Sequence, residues 1–259
     1  MATFPPRAEN LGHVVDRILP QVDQLNIVFN EYDSIPDKYK NRSGLCPIIP
    51  EEDTKDVGKF FPRVSKEDLV FLVDDDIDYP ADYVQVMMDA FGSLPDGGFV
   101  AGLYASIYRR PSLGRTLSGV RRFVAFHLFP EKIVRYRTVF SFQKDIKTPF
   151  FVDQLGTGTV ILRGADMPPY EYMRNSRKFV DVRLARWCYE NQLRMVALPR
   201  DAGWLSWEDD EHSIFKTFTT THPRHVSKEI RIYAFNRNFV GREIGHHDSK
   251  VNVSTSRKD

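Results

Sequence analysis

The sequence feature that most constrains the fold is a short apolar run that ends in acidic residues. Leu69–Val73 holds five consecutive apolar residues rich in β-formers, which is typical of a buried strand. Asp74, Asp75 and Asp76 follow at once, and Pro80 ends the capacity of the segment to pair as a strand. Neighbouring carboxylates repel one another, and each resists transfer out of water. An acidic cluster at the mouth of a core strand therefore favours a bound cation.

The ligand type narrows the choice of cation. Carboxylate oxygens on a rigid strand end suit Mg²⁺ or Mn²⁺, with a phosphate of the substrate supplying further oxygens. A solvated acidic turn is the alternative interpretation of the same triplet. Its position directly after so apolar a strand favours a metal-bound phosphate.

Strand and helix patterns alternate along most of the chain. Strand-like segments lie at residues 1–4, 25–30, 69–73, 99–108 and 195–198, and helical spacing lies at 8–19, 81–91 and 180–192. This alternation predicts the α/β class, with an open, mostly parallel twisted sheet flanked by helices in a Rossmann-like arrangement. We expect one domain over residues 1–245, followed by a polar, flexible tail over residues 246–259.

Composition excludes some functions. Of the 259 residues, 42% are hydrophobic and 27% are charged, and the net charge is +1, whereas a dedicated nucleic-acid binder is usually strongly basic. Cys46 and Cys188 are too few for a disulfide framework or a zinc site. No apolar run has the length of a membrane span, and the N-terminus lacks the apolar core of a signal peptide. We expect a cytoplasmic protein that does not bind nucleic acid.

An ordered set of motifs resembles the GT-A-fold nucleotide-sugar glycosyltransferases of the GT2-like family. The motifs are ATFPPR, NIVFNEYDSIP, DVGKF, FLVDDDIDYP, FVDQLGTGTVIL and FVDVRLARWC. Together they cover about residues 1 to 210. The resemblance implies a single GT-A-type domain, in which residues 1–108 bind the nucleotide sugar and residues 109–245 bind the acceptor.

The activity implied by the resemblance is metal-dependent sugar transfer with Mn²⁺ or Mg²⁺ as cofactor. The donor would be a nucleotide-diphosphate sugar, with UDP favoured, and the acceptor a saccharide or a lipid-linked saccharide, as in bacterial surface-polysaccharide synthesis. Transfer would invert the anomeric carbon with the help of a carboxylate base. Two alternatives stay open, namely a non-catalytic nucleotide-sugar sensor or scaffold subunit and a sugar-nucleotide nucleotidyltransferase.

Loops at the carboxyl ends of neighbouring parallel strands meet at one crevice, where ligands bind in such sheets. Three predicted strand ends carry polar residues, so we expect one crevice to gather them. The resemblance implies that the donor nucleotide contacts Thr3, Phe4, Arg7, Asn30, Asp56 and Lys59. The alternative for Asp56 is a helix start, where an acid is favoured by the helix dipole.

The resemblance also assigns the metal ligands. Asp76 is the firmest ligand and Asp74 the next, while Asp75 is a ribose contact. A further ligand in this family often comes from a late histidine, for which His212 is preferred over His222. We expect Asp78 only to end the turn.

Two carboxylates are candidates for the catalytic base. By resemblance Asp181, at the start of the predicted helix, takes the proton of the acceptor hydroxyl, although it could equally be a helix N-cap. The commonest family motif has an acid directly before this position, where Val180 stands here. Asp153 is the rival base, or else a sugar or acceptor binder beside the glycine-threonine turn at 155–159.

The segment from Arg109 to Arg122 has five arginines and no acid. We predict an exposed, mobile loop that is either simply solvated or binds an anionic acceptor, such as a lipid-linked diphosphate, or the membrane surface. Contact with the membrane surface would place the protein at the inner face of the membrane. Trp204 and Trp207 are candidates for stacking on a sugar ring, or for packing at the sheet edge.

Overall fold

The computed structural model of the chain describes residues 1–95, 97–114, 116–207 and 224–244, and of residues 130–132 only the backbone. His212, His222 and the tail from residue 246 lie outside the described residues. Among the described helices, none has both the length and the apolar character needed to cross a bilayer.

The chain begins with alternating strands and helices, as its sequence predicts. The strands are β1 (Ala2–Thr3), β2 (Leu25–Phe29), β3 (Leu45–Ile48), β4 (Leu69–Val73), β5 (Ile77–Asp78), β6 (Phe99–Gly102), β7 (Ala105–Tyr108), β8 (Arg137–Phe140), β9 (Phe150–Phe151), β10 (Gln154–Leu155), β11 (Thr159–Arg163), β12 (Arg194–Ala197) and β13 (Ser206–Trp207). The helices are α1 (Ala8–Ile18), α2 (Tyr83–Gly92), α3 (Leu117–Leu128), α4 (Tyr170–Met173), α5 (Val180–Glu190) and α6 (Arg224–Tyr233). Short 3₁₀ helices include Pro5–Arg7, Lys55–Phe60 and Pro130–Tyr136.

The α/β class and the open sheet are confirmed. Strands β1, β2 and β3 pair in parallel. A second, five-stranded sheet has the order β4-β11-β6-β12-β9, in which β6 and β12 are parallel. Strand β11 is antiparallel to both of its neighbours, and β9 is antiparallel to β12. This sheet is therefore mixed, because β9 and β11 run against the other strands.

Both faces of the five-stranded sheet are covered, which explains its nearly continuous apolar strands. In β11, Val160 and Leu162 belong to one buried cluster, which includes residues of α5 and α6. Ile161 points the other way, into a cluster with residues of α1 and α2. Side chains alternate between the two faces of a strand, so consecutive residues of β11 pack into different core layers.

Three segments differ from the prediction. The expected single strand over residues 99–108 is two strands, because Leu103 donates its N–H to the Thr159 carbonyl (3.3 Å) and β7 turns away to pair with β8 and β10. The predicted loop from Arg109 to Arg122 becomes helical at Leu117, where Thr116 caps the helix by accepting the Gly119 N–H at 3.2 Å. Helix α6 was not predicted.

Candidate functional site

A cavity of about 700 Å³ lies beyond the carboxyl ends of β1, β2 and β4. The residues predicted from sequence that line it are Thr3, Phe4, Arg7, Asn30, Asp56, Lys59, Asp74, Asp75, Asp76 and Asp181. The crevice expected from the strand ends is therefore present in the structure. Asp153 does not line it, and His212 lies outside the described residues.

Two of the three clustered carboxylates have the same protein cation as their partner. Arg7 Nη1 donates to Asp75 Oδ1, and Arg7 Nη2 lies 3.0 Å from Asp76 Oδ2. Burial disfavours the charge of Arg7, but the attraction of Asp75 and Asp76 outweighs it, so the pKa of the guanidinium is raised. Arg7 is thus bound to the acidic cluster, a contact that the sequence did not predict.

Lys59 connects the acidic cluster to the opposite wall. Its ammonium donates to Asp74 Oδ1 and, at 3.2 Å, to Thr157 Oγ1. Thr157 in turn donates its backbone N–H (2.9 Å) and its hydroxyl (2.8 Å) to Asp181 Oδ1. Burial opposes the charge of Lys59, yet Asp74 raises its pKa overall. A continuous polar chain therefore joins Asp74 to Asp181 across the cavity.

Asp76 keeps one buried oxygen without a hydrogen-bond partner. Its Oδ1 has none among the described residues. Burial, followed by repulsion from Asp74, raises the pKa of Asp76 to about 7. An unpaired buried carboxylate oxygen beside like charges is a place where a cation would be stabilising.

These residues fit a divalent cation that is shared with a substrate phosphate. The described residues contain no group of three or more His, Cys, Asp or Glu side chains that could hold a metal unaided. Mg²⁺ usually takes only one or two carboxylates and fills its remaining positions with water and phosphate oxygens. Asp76 and Asp74 would be those carboxylates.

At the carboxyl end of β2, Asn30 fixes the backbone of the neighbouring loop. Its Oδ1 accepts the N–H (2.8 Å) and the hydroxyl (2.7 Å) of Thr54, and its Nδ2 donates to the Lys55 carbonyl at 3.1 Å. Asn30 is 2% exposed. It lines the cavity, and its amide positions the segment that carries Asp56 and Lys59.

Asp56 lies at the same end of the cavity. Its Oδ1 accepts the Lys178 N–H at 2.8 Å, which ties the 3₁₀ helix Lys55–Phe60 to the start of α5. Burial raises the pKa of Asp56 to about 6, although Lys178 and Lys59 counteract it.

Asp181 is in the first turn of α5, where Phe179 occupies the N-cap position. The N-cap alternative for Asp181 is wrong, since its Oδ1 accepts from Thr157 instead of from the helix. Within the described part of the chain, no residue donates a hydrogen bond to its Oδ2. Burial raises the pKa of Asp181, with Thr157 and Lys59 opposing that shift.

Asp153 is turned away from the cavity, in contrast to the expectation of a catalytic or sugar-binding role. Its Oδ2 accepts the Tyr108 N–H at 2.7 Å, and the residue is 3% exposed. The neighbouring Gln154 in β10 does line the cavity. Adjacent side chains in extended backbone point to opposite sides, so the orientation of Gln154 excludes Asp153.

Sequence reasoning missed Tyr79, which is buried beneath the site, and several residues that line the cavity. Tyr79 supports the acidic loop, because its hydroxyl accepts the Asp74 N–H (2.9 Å) and donates to the Gly158 carbonyl (2.6 Å). Its position within the motif FLVDDDIDYP was the available signal. The apolar part of the wall comprises Tyr104, Tyr108, Val134, Phe179, Val226 and Ile230. Of these, only Phe179 belongs to one of the quoted sequence motifs.

Of the two tryptophans, only Trp207 lies at the cavity. Trp207 lines the cavity, is 45% exposed and lies with its ring centroid 4.8 Å from that of Phe142. Trp204 stacks on Tyr83 at 5.9 Å and does not line the cavity. Of the two tryptophans proposed from sequence, Trp207 is therefore the one that faces the cavity.

Comparison of the chain with protein-family models finds no matching family. A search of curated proteins likewise finds no match. The geometry of the cavity and the sequence motifs are therefore the grounds for a functional proposal.

Replacing Gly158 with alanine should displace the Asp74 carboxylate. An added Cβ would overlap that carboxylate and come within 3.0 Å of Ile77 Cδ1. If Asp74 helps to hold the cation, nucleoside-diphosphate binding in the presence of Mn²⁺, measured by calorimetry, should weaken by about tenfold or more. Gly92→Ala is the control, because a Cβ there meets nothing within 4 Å. Equal affinities of the two variants would contradict this role of Gly158.

Asp153→Asn should stabilise the fold increasingly as the pH rises. Burial raises the pKa of Asp153 from 3.8 to about 6, so the folded protein holds this proton more tightly than the unfolded chain does. Wild-type stability therefore falls as the pH rises between those values, at about 1.4 kcal/mol per unit. The variant has no carboxyl group to titrate at this position. Its free energy of unfolding, relative to that of the wild type, should therefore rise by on the order of 2–3 kcal/mol between pH 4 and pH 7. Urea unfolding at several pH values measures it, and a pH-independent difference would refute the assignment.

Proposed function

We propose that the chain is a metal-dependent GT-A-type glycosyltransferase. It would move a sugar from a nucleotide-diphosphate sugar, with UDP favoured, to a saccharide or lipid-linked saccharide acceptor. The observation that carries the proposal is the convergence, in one cavity, of the nucleoside-side loops, the acidic strand end and Asp181. These three parts come from distant segments of the chain, and each has a distinct task in sugar transfer.

The acidic end of the cavity is suited to the diphosphate. Mn²⁺ or Mg²⁺ held by Asp76 and Asp74 would supply Lewis-acid stabilisation of the leaving diphosphate. Asp56, half-buried at the other side of Lys59, is placed to hydrogen-bond the base or ribose. Lys59 keeps Asp74 in place through their ion pair.

Asp181 serves as the base in this proposal. Thr157 fixes one of its oxygens, which leaves the other to accept the proton of an acceptor hydroxyl. As that hydroxyl oxygen bonds to the anomeric carbon, the bond from this carbon to the diphosphate breaks and the nucleoside diphosphate leaves. Burial, which raises the pKa of Asp181, makes its carboxylate a stronger base.

The apolar wall favours an acceptor with an apolar portion. Val134, Phe179, Val226 and Ile230 line the cavity together with Asp181. A free saccharide would bury little apolar surface against these four side chains, whereas an apolar ligand would be stabilised by such burial. A lipid-linked saccharide combines the hydroxyl and the apolar part.

A sensor that binds the nucleotide sugar without turnover is the second candidate. The observation in its favour is that each of the three carboxylates already has a protein cation as its partner, Arg7 for Asp75 and Asp76 and Lys59 for Asp74. Such a protein would bind nucleotide without metal and release no nucleoside diphosphate.

A panel of nucleotide sugars in thermal-shift measurements with and without Mn²⁺ tests the proposal. A ligand present at a hundred times its Kd stabilises a protein by about 2.7 kcal/mol. We expect a Mn²⁺-dependent rise in Tm with one nucleotide-diphosphate sugar, followed by release of nucleoside diphosphate. Stabilisation without metal and without turnover would favour the sensor, and no stabilisation by any donor would refute both.

A further inference from the structure

Helix α3 carries an exposed apolar stripe on its outer face. Leu117 is 83% exposed, Val120 40%, Val124 44% and Leu128 66%. At about 100° per residue, these four positions fall within an arc of roughly 80° on one side of the helix. Phe126 projects from the opposite side and packs against Tyr136, with ring centroids 5.0 Å apart. The helix is therefore attached to the protein by one face and presents an apolar face to solvent.

The same segment is basic. The sequence from Arg109 to Pro130 contains five arginines and neither aspartate nor glutamate. Arg109, Arg110, Arg121 and Arg122 are all exposed. An amphipathic helix with arginines beside an apolar stripe matches a surface that combines negative charge with an apolar interior.

We propose that α3 docks the protein onto an anionic lipid membrane, with its apolar stripe in the headgroup region and its arginines on lipid phosphates. Charge complementarity selects this occupant. A second copy of the chain in a two-fold arrangement would instead bring the arginines of both helices together, and like charges repel. The inference is independent of the proposed catalytic function.

The segment that contains α3 begins and ends at residues of the cavity wall. The chain leaves the cavity at Tyr108, forms α3 and returns at Val134 and Arg137, and these three residues line the cavity. Docking through α3 would therefore hold the apolar wall of the cavity close to the lipid surface.

Co-sedimentation with vesicles tests the proposal. The full chain is mixed with vesicles of phosphatidylcholine alone or with roughly one third phosphatidylglycerol, at low and high salt. We expect binding to the anionic vesicles only, with weakening by salt. Leu117→Glu combined with Leu128→Glu should lower the bound fraction at least tenfold, as should Arg121→Glu combined with Arg122→Glu.

The matched control is Val86→Glu combined with Met88→Glu on α2, two exposed apolar residues 37% and 41% accessible. It adds the same charge as the Leu117→Glu, Leu128→Glu variant and should bind like the wild type. Circular dichroism checks that each variant is folded. Equal loss in the control, unchanged binding of the α3 variants, or no binding of the wild type would overturn the proposal. So would a solution dimer that the Leu117→Glu, Leu128→Glu variant dissociates, since α3 would then contact a second copy.

Discussion

Asp76→Ala should abolish metal-dependent nucleotide binding. Asp76 offers the buried Oδ1 that lacks a hydrogen-bond partner, and Asp74 alone would be left to hold the cation. We expect the affinity for a nucleoside diphosphate in Mn²⁺ to fall by at least about a hundredfold, which corresponds to about 2.8 kcal/mol. Calorimetric titration of UDP with and without Mn²⁺ measures this loss.

The neighbouring carboxylate provides the control. Asp78 lies 2.9 Å from His13 and does not line the cavity, so Asp78→Ala should bind UDP and Mn²⁺ like the wild type. The Asp76→Ala fold should persist, because Arg7 keeps its ion pair with Asp75. If Asp76→Ala retained full Mn²⁺-dependent binding, the cation would have to be held elsewhere.

Asp181→Asn should remove transfer and leave donor binding intact. The asparagine can still accept both hydrogen bonds from Thr157 through its Oδ1, but it cannot take up a proton. General base catalysis contributes about 100-fold to 10,000-fold, and we expect a loss of that size in turnover. Release of nucleoside diphosphate in the presence of acceptor measures turnover, and titration of the donor measures its Kd.

Asp153→Asn is the matched control, since Asp153 was the rival base and lies off the cavity. It should transfer at the wild-type rate. Normal transfer by Asp181→Asn would refute its assignment as the base. Loss of donor binding in the same variant would instead indicate that Asp181 holds the polar chain through Thr157 and Lys59.

Much of the fold could be predicted because its signals are local. The strand Leu69–Val73 appears at its predicted bounds, and α1 ends one residue earlier than expected. An apolar run and a 3.6-residue period report burial without any knowledge of distant partners. The division of residues 99–108 into β6 and β7 was not predictable in this way, since it depends on the contacts of Leu103 and Tyr104 with Thr159 in another strand.

The same contrast holds for the site. Asp74, Asp75, Asp76 and Asp181 were predicted from motifs, and all four line the cavity. The N-cap alternative for Asp181 and the role of Asp153 were not resolvable, because each depends on where a single side chain points. Val226 and Ile230 of helix α6 line the cavity. The local sequence of α6 does not indicate that it packs near the acidic motif.

By itself, the sequence determined the α/β class, the acidic strand end and the candidate residues that gather there, because these follow from residue type and period along the chain. The tertiary structure decided which charges are paired. Arg7 lies 68 residues from Asp75, and Lys59 lies 98 from Thr157. Ion pairs and hydrogen bonds depend on distances of a few ångströms between side chains, and only the packing of the whole chain sets those distances.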